Sequence, residues 1–438
     1  MFRRSLLKYG LGSVVASPFI TERMLISYAN AFEKEFDGFD GQTIVWGGIS
    51  YLPSNPNAAL PNFFPLFDKK ASGGVPIIDN ALTKALEKVS PSVWEEKGFR
   101  LSIAEGGLGG NARFGMIMSV ASELIIQDSR SARGSYSVYR LIAYNFIFSI
   151  TKSRGTRILA SYPVGGRFYS YMPDEDQTPI EDYFLSMFTT EAKDGLTIPN
   201  WYTDKLKEYS FQDVKLGLNY RVDEVILGEG AKSGLDLIGV AHNIFSDWVG
   251  FATTMSFGQE LKVSVIPYKD SATNTKDLAL NFRNKEPFSL TLEEGDVALI
   301  PTVHQWTTEY KDHPRDDEQY VQRIIIYVQL MILYPFEDGD DKWRFNQVII
   351  AEEVQAVFKD EEYRRSDETT IYLLIEKLLD TTFAAIRQEG KRKQLLEGYK
   401  EVYETTERNK EITPYISIEV HNQTAANFEK ECEAVLEI

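Results

Sequence analysis

Two stretches of the chain alternate between apolar and polar residues over long runs, the pattern of strands that bury one face. In residues 136–150 and 322–334, nearly every even-numbered position is apolar or aromatic. The odd-numbered positions are mixed and include Ser137, Tyr139, Asn145, Arg323 and Gln329. We expect each run to be one arm of a long hairpin, with second arms at 156–164 and 343–352 and the even face turned toward helices.

Periodic patterns around these hairpins predict the same order of elements twice. The first copy has strands at 43–52, 99–105 and 123–128, helices at 76–89 and 180–192, and the first hairpin. The second copy has strands at 222–227, 261–268 and 296–306, helices at 235–257 and 369–387, and the second hairpin. The sequence therefore predicts an α+β fold of two tandem layered domains, each ordered strand-helix-strand-strand-hairpin-helix, with mixed sheets and helices on one face.

The predicted boundaries follow from this repeat and from the composition around it. Residues 388–438 are densely charged at first, which predicts an exposed helix continuing from the helix at 369–387, and then a strand at 415–421 and a helix at 425–436. The expected segments are 1–31 (signal peptide), 40–193 (first domain), 194–217 (linker), 218–387 (second domain) and 388–438 (charged helix and C-terminal segment).

The N-terminus resembles a twin-arginine export signal. The residues that carry the resemblance are Arg3, Arg4, Leu6, Leu7 and Lys8, followed by a weakly apolar stretch and by the small-x-small cleavage pattern of Ala29 and Ala31. Phe2, Glu22 and Arg23 depart from the usual pattern. The resemblance implies cleavage after Ala31 and a periplasmic or secreted bacterial protein, and the alternative is a basic helix that is never removed.

The order of elements also resembles a periplasmic α/β domain. That domain occurs in curli-secretion lipoproteins, in the N-terminal domain of the Tol-system translocation protein, and in tandem in a flagellar ring protein. The residues that carry the resemblance are 43–52, 123–164, 222–227, 295–306 and 322–352. The resemblance implies an envelope protein with tandem α/β domains, and it brings no catalytic residue with it.

Charge and cysteine content exclude several classes of protein. The 47 Lys and Arg residues against 64 Asp and Glu residues give a net charge of −17, which opposes binding to nucleic acid through its phosphates. The single cysteine, Cys432, excludes an intramolecular disulfide and a cysteine-based zinc site. No run of 18 apolar residues follows the signal, so we expect no membrane-spanning segment in the mature chain.

No local motif assigns a catalytic residue, a metal site or a cofactor. The glycines at 106–110 lack the lysine of a phosphate-binding loop. His304 and His313 have neither the spacing nor the ligand set of a zinc site, and the carboxylates at 337–341 lack a full calcium loop. We expect the glycines to form a flexible loop, His304 and His313 to be an ordinary strand and loop histidine, and the carboxylates to lie on a solvated turn. We expect His242 to be a hydrogen-bonded core histidine.

An aromatic group beside Pro61 and Pro65 is the one candidate interaction surface in the sequence. Phe63, Phe64 and Phe67 either form a surface that binds a partner or fill the edge of a core.

The function favoured by the sequence is that of an exported, non-enzymatic envelope assembly or protein-interaction module. Its expected partners are other envelope proteins or further copies of itself. Two alternatives remain open. One is a periplasmic hydrolase whose carboxylates converge only in the fold, since paired acids need no local motif. The other is a cytosolic scaffold that keeps its basic N-terminus.

Overall fold

The computed structural model has the predicted α+β class, with two sheets and helices packed on them. It describes residues 41–436 except 53–65, 68, 72–73, 75, 104–112, 132–133, 152–154, 174, 177, 190–196, 210, 212–219, 269–276, 283–286, 292–296, 335–342, 360–366 and 398–417. The predicted signal and cleavage site, the glycine loop and the acidic turn at 337–341 therefore lie outside the described residues.

The first sheet is built around three long strands. Its members from the first half are β1 (Gln42–Tyr51), β2 (Phe99–Ile103), β3 (Phe114–Ser131), β4 (Gly134–Thr151) and β5 (Gly155–Pro173), in the order β2-β1-β3-β4-β5. β1 pairs in parallel with β2 and β3, whereas β3-β4 and β4-β5 are antiparallel. The predicted hairpin arms lie in β4 and β5. The apolar segment at 114–121 and the predicted strand at 123–128 form one bulged strand, β3, because both pair with β4.

The second sheet repeats this order. It contains β6 (Tyr220–Val222), β7 (Ile226–Leu227), β8 (Val265–Ile266), β11 (Val297–Asp312), β12 (Gln319–Leu333) and β13 (Trp343–Phe358), in the order β8-β6-β11-β12-β13, with β7 beside β11. β6 pairs in parallel with β8 and β11, and the two later pairings are antiparallel. The two sheets thus share both the strand order and the sense of each pairing.

One hairpin crosses between the halves. β9 (Asp277–Phe282) and β10 (Pro287–Thr291) follow second-half elements in the chain, but they join the first sheet. β9 pairs with β1 at Ser50 and Tyr51, and β10 meets β5 at Arg157. The sequence analysis placed both strands in the second domain (218–387), because the sequence carries no local signal for this long-range pairing.

Helices of the first half cover one face of the first sheet. They are α1 (Ile77–Glu87), α2 (Pro91–Glu95), α3 (Ile180–Thr189) and α4 (Ile198–Glu208). α1 turns Ile78, Leu82 and Leu86 inward at helical spacing, and the Thr197 hydroxyl caps α4 by accepting from the Asn200 N–H at 3.2 Å. α4 lies within the segment predicted as a linker, and its Tyr202 and Leu206 are buried in the first core.

One helix of the second half, which we call α6, packs against both sheets. The second half contains α5 (Glu229–Ile238), α6 (His242–Leu261), α7 (Asp367–Arg387) and α8 (Ile418–Leu436), with a further helical segment at 389–397. α6 contributes Phe245, Val249 and Phe257 to the second core, whereas its Met255 packs with Tyr144 and Phe146 of β4. α6 is therefore buried on both sides and belongs to the cores of both halves.

This layering changes the expected orientation of β4. Its even face, including Ile142, Tyr144 and Phe146, packs on α6 of the second half. Its odd face, predicted to be partly wet, lies under α1, α3 and α4 and is also buried. On that face the Asn145 side-chain oxygen has a partner, since the Tyr202 hydroxyl donates to it at 2.9 Å.

Other local expectations also differ from the structure. The helix predicted at 235–257 is two helices, because Gly239 ends α5 with a left-handed φ of 73°. The strand predicted at 415–421 overlaps the start of α8 at Ile418. α7 ends at Arg387, and the helical residues 389–397 that follow bury Arg392 and Leu395 instead of continuing as an exposed helix. Among the described residues, no helix is long and apolar enough to cross a membrane.

Candidate functional site

A buried group of charges joins the two halves. Arg140 on β4 and Arg167 on β5 are directly opposite each other in the first sheet. Both guanidinium groups form ion pairs with the carboxylate of Glu376 on α7, whose side chain is 7% exposed. Burial and the neighbouring charge of Arg167 lower the pKa of Arg140 to about 9, so the guanidinium stays charged at neutral pH. Two cations of the first half, Arg140 and Arg167, thus share the Glu376 carboxylate of the second half.

Aromatic rings cover the Arg140 end of this group. The Arg140 guanidinium lies over the Trp248 ring, 5.3 Å from its centroid. Trp248 of α6 contacts Tyr372 of α7 at a centroid distance of 4.4 Å. Burial raises the pKa of the Tyr372 hydroxyl, and the neighbouring carboxylate of Glu368 raises it further. These rings exclude water from one side of the ion pairs and strengthen them.

A second carboxylate lies one turn further along α7. The Ser256 hydroxyl of α6 donates to Asp380 Oδ1 at 2.5 Å. Burial raises the pKa of Asp380, and the Ser256 hydrogen bond and the charges of Arg167 and Arg140 oppose that rise. Burial likewise raises the pKa of Glu260, with the charge of Asp380 as the next cause. Glu376 and Asp380 therefore present two carboxylates on one side of α7.

A cleft opens beside these charges. It has a volume of about 310 Å³ and lies between β5, α7 and β13. Its lining combines charged and apolar groups from both halves: Arg167, Tyr169, Glu353, Leu373, Lys377, Asp380 and Thr381. Its charged residues are two cations, Arg167 and Lys377, and two carboxylates, Glu353 and Asp380, so neither sign of charge dominates.

Beyond the cleft, the same face of the first sheet carries exposed aromatic residues. Tyr136 and Tyr171 are directly opposite each other on β4 and β5, with ring centroids 4.8 Å apart. Tyr169 follows on β5, and Leu124 lies opposite Arg140 on β3. These four side chains are 40–56% exposed, and we call them the tyrosine patch. Because opposite residues share a face, the patch continues the face that α6 and α7 bury further along the strands.

The predicted aromatic group is only partly described. Phe67 is fully buried and contacts Phe188 of α3 at 5.8 Å between ring centroids. This corresponds to the alternative in which the group fills a core edge. Phe63 and Phe64 lie outside the described residues. Phe67 is fixed there by the buried Glu123, which accepts from the N–H groups of Leu66 and Phe67.

Three of the four histidines, His242, His304 and His313, have hydrogen-bonding partners in the structure. His304 Nε2 lies 3.2 Å from Gln329 Oε1, and His313 Nδ1 accepts from the Arg315 N–H at 3.3 Å. His242 was expected in a core, but it starts α6 with a 41% exposed side chain, 2.9 Å from Asp236. In the part of the chain that the structure describes, no group of three or more His, Cys, Asp or Glu side chains is placed to hold a metal ion.

Sequence reasoning missed both the charge group and the tyrosine patch. The lone Arg140 on an otherwise apolar face was the one available signal for the former, since a buried arginine requires a partner. The tyrosine patch had no signal, because aromatic residues on that face were expected to be buried. No protein-family model matches this chain, and a comparison with curated proteins finds no match.

Proposed function

We propose that the chain is an exported, non-enzymatic module for assembly or protein interaction in the bacterial envelope, and that the tyrosine patch is its partner-binding surface. The observation that carries the proposal is the exposure of Leu124, Tyr136, Tyr169 and Tyr171 on one sheet face. Tyrosine is enriched among the residues that dominate binding energy at protein interfaces. The twin-arginine-like N-terminus and the resemblance to periplasmic α/β domains support the envelope as its location.

The patch is tested by a double substitution, Tyr136→Ser with Tyr171→Ser. Both residues are exposed, so the fold is kept and the binding of the partner weakens by about 2 kcal/mol or more, roughly thirtyfold. The measurement is quantitative co-purification from envelope extracts of the native host. The matched control is Leu237→Ser with Ile244→Ser, which removes apolar side chains that are 88% and 59% exposed elsewhere. Equal loss in both variants would reject the patch as the binding surface.

Export is tested separately. Replacing both Arg3 and Arg4 with lysine should trap the precursor in the cytoplasm, as judged by cell fractionation. Normal periplasmic yield from this variant would reject the twin-arginine route. Absence of the wild-type protein from the envelope fraction would favour the cytosolic scaffold.

A hydrolase is the second candidate, because Glu376 and Asp380 bring two carboxylates to one side of α7 beside the cleft. Paired acids of this kind serve as general acid and as base or nucleophile in glycoside hydrolysis. The two ion pairs of Glu376 favour a structural role for that carboxylate, and for this reason the interaction module is preferred. The test is hydrolysis of a panel of glycosides by the wild type and by Asp380→Asn. If the wild type hydrolyses a glycoside and a folded Asp380→Asn variant does not, the hydrolase becomes the preferred function.

A further inference from the structure

The cleft between β5, α7 and β13 has the size and the walls of a ligand site. Its volume of about 310 Å³ is at the lower end of the range of ~300–1,000 Å³ that is typical of small-molecule sites. Arg167 and Tyr169 are two residues apart on β5, so both lie on one face of the first sheet. The wall from α7 is a single stripe at helical spacing, formed by Leu373, Lys377, Asp380 and Thr381.

The charged groups of the cleft are largely held in place by partners of their own. Arg167 forms an ion pair with Glu376, and Asp380 accepts from the Ser256 hydroxyl at 2.5 Å. Glu353 of β13 is likewise engaged. A ligand with a full charge gives up its hydration on entry, and groups that are already paired replace that hydration poorly. The lining therefore favours a ligand without a net charge.

Hydrogen-bond donors and acceptors lie side by side in the cleft. Arg167 and Lys377 supply N–H donors, and the carboxylates of Glu353 and Asp380 supply acceptors. The Thr381 hydroxyl donates to the Lys377 carbonyl at 2.7 Å, and its oxygen can accept a further hydrogen bond. Neighbouring hydroxyl groups on a ligand match such a lining, because each of them both donates and accepts.

Two side chains also give the cleft an apolar surface. Tyr169 is 56% exposed, and Leu373 lines the cleft from α7. The face of an aromatic ring carries partial negative charge, so it attracts C–H groups, which carry partial positive charge. A sugar ring has a face of C–H groups and a rim of hydroxyl groups. It therefore combines the two properties that this lining requires.

We infer that the cleft binds one ring of a neutral saccharide, with the C–H face on Tyr169 and the hydroxyl groups toward α7 and Glu353. Amino acids are the competing class, since they also have no net charge, but their two full charges would meet groups that already have partners. The inference assigns binding without bond cleavage, so it is separate from the hydrolase alternative. It also goes beyond the proposed function and does not depend on it, since Tyr136 and Tyr171 lie outside the cleft.

The experiment is calorimetric titration of the purified full chain with glucose, galactose, mannose and N-acetylglucosamine. These monosaccharides have no glycosidic bond, so hydrolysis cannot contribute to the signal. We expect at least one of them to bind with a dissociation constant of about a millimolar, which is close to what a ligand of this size can gain. The amino-sugar and uronic-acid counterparts of that sugar should bind at least about tenfold more weakly at about pH 6, where both are charged. Alanine is the probe for the competing class and should also bind more weakly.

Variants of the lining locate the site. Tyr169→Ala removes the aromatic face and should raise the dissociation constant at least about tenfold, whereas Tyr169→Phe keeps that face and should bind as the wild type does. Lys377→Met removes a donor from α7 and should weaken binding by about tenfold. Both positions are exposed, so the fold is kept. The matched control is Tyr136→Ser/Tyr171→Ser, which removes exposed tyrosines outside the cleft and should leave sugar binding unchanged.

Each other outcome overturns the inference. If none of the four sugars binds at concentrations up to about 20 mM, the cleft is not a saccharide site. Tighter binding of a charged counterpart or of alanine would show that the ligand class is wrong. Sugar binding that survives both Tyr169→Ala and Lys377→Met lies elsewhere on the molecule. The Tyr136→Ser/Tyr171→Ser variant should lose the protein partner and keep the sugar, so failure of the proposed function and failure of this inference are told apart.

Discussion

Arg140 of the first sheet forms an ion pair with Glu376 of α7, so a charge on one half of the chain is neutralised by the other half. Arg167 binds the same carboxylate from the neighbouring strand. A buried cation without its partner has a high free energy, because the surroundings cannot replace the lost hydration. The pairing therefore fixes how α7 lies across β4 and β5.

Glu376→Gln should lower the free energy of unfolding by about 3–5 kcal/mol, because it removes the buried carboxylate that pairs directly with Arg140 and Arg167. Denaturant unfolding gives this value directly. Glu389→Gln is the charge-matched control, since Glu389 pairs with Lys393 at 2.8 Å at an exposed site, and we expect it to leave the free energy of unfolding essentially unchanged. Similar losses in the two variants would mean that the interface pair contributes little.

Asp380→Asn should flatten the dependence of stability on pH. The pKa of Asp380 in the folded chain is raised above the unfolded value of about 3.9, so the folded state holds the proton more tightly. The stability that this group contributes is complete below the unfolded pKa and is lost as pH rises through the folded pKa. The asparagine variant has no ionisable group at this position, so it should not lose this stability as the pH rises. The measurement is the free energy of unfolding of both proteins across a pH series. Asp204→Asn, at an exposed position of α4, is the control.

Glu123→Gln should release the segment at Leu66 and Phe67. Glu123 is 5% exposed and accepts from both backbone N–H groups and from the Tyr139 hydroxyl at 2.9 Å. Charge-assisted bonds are about twice as strong as neutral ones, so we expect a loss of about 2 kcal/mol and faster hydrogen exchange of these two amides. Glu181→Gln alters a nearby exposed carboxylate and should leave their exchange unchanged. Unchanged exchange in Glu123→Gln would contradict the anchoring role.

Gly258→Ala and Gly390→Ala should have opposite effects on stability. A Cβ at Gly258 of α6 would lie 2.3 Å from the Pro163 ring of β5, whereas a Cβ at Gly390 meets nothing within 4 Å. Alanine gains up to about 1 kcal/mol of helix propensity at both positions. At Gly258 we expect overlap to outweigh this gain and destabilise by about 1–3 kcal/mol. Thermal unfolding of both variants checks the sign, and stabilisation by Gly258→Ala would show that the two halves are less closely packed.

The sequence predicted the positions of the strands more reliably than the long-range contacts that the strands make. The alternation in residues 136–150 and 322–334 located two central strands, because period-two burial is a local property. It could not assign the even face of β4 to α6, since that contact joins residues such as Tyr144 and Met255 that are far apart in the chain. The pairing of β9 with β1 and the ion pair of Arg140 with Glu376 were missed for the same reason. The candidate site is made almost entirely of such long-range contacts.

Because α6 covers part of the first sheet, the order in which the ribosome makes the chain affects how the first half can fold. β4 leaves the ribosome with Ile142, Tyr144 and Phe146 complete, but the helix that covers them ends only at Leu261. Until about a hundred further residues have been made, that apolar face has no permanent cover. A chain truncated after α4 should therefore aggregate or recruit a chaperone. For the same reason, the nascent first half cannot complete its fold alone, although its sheet has the same strand order as that of the second half.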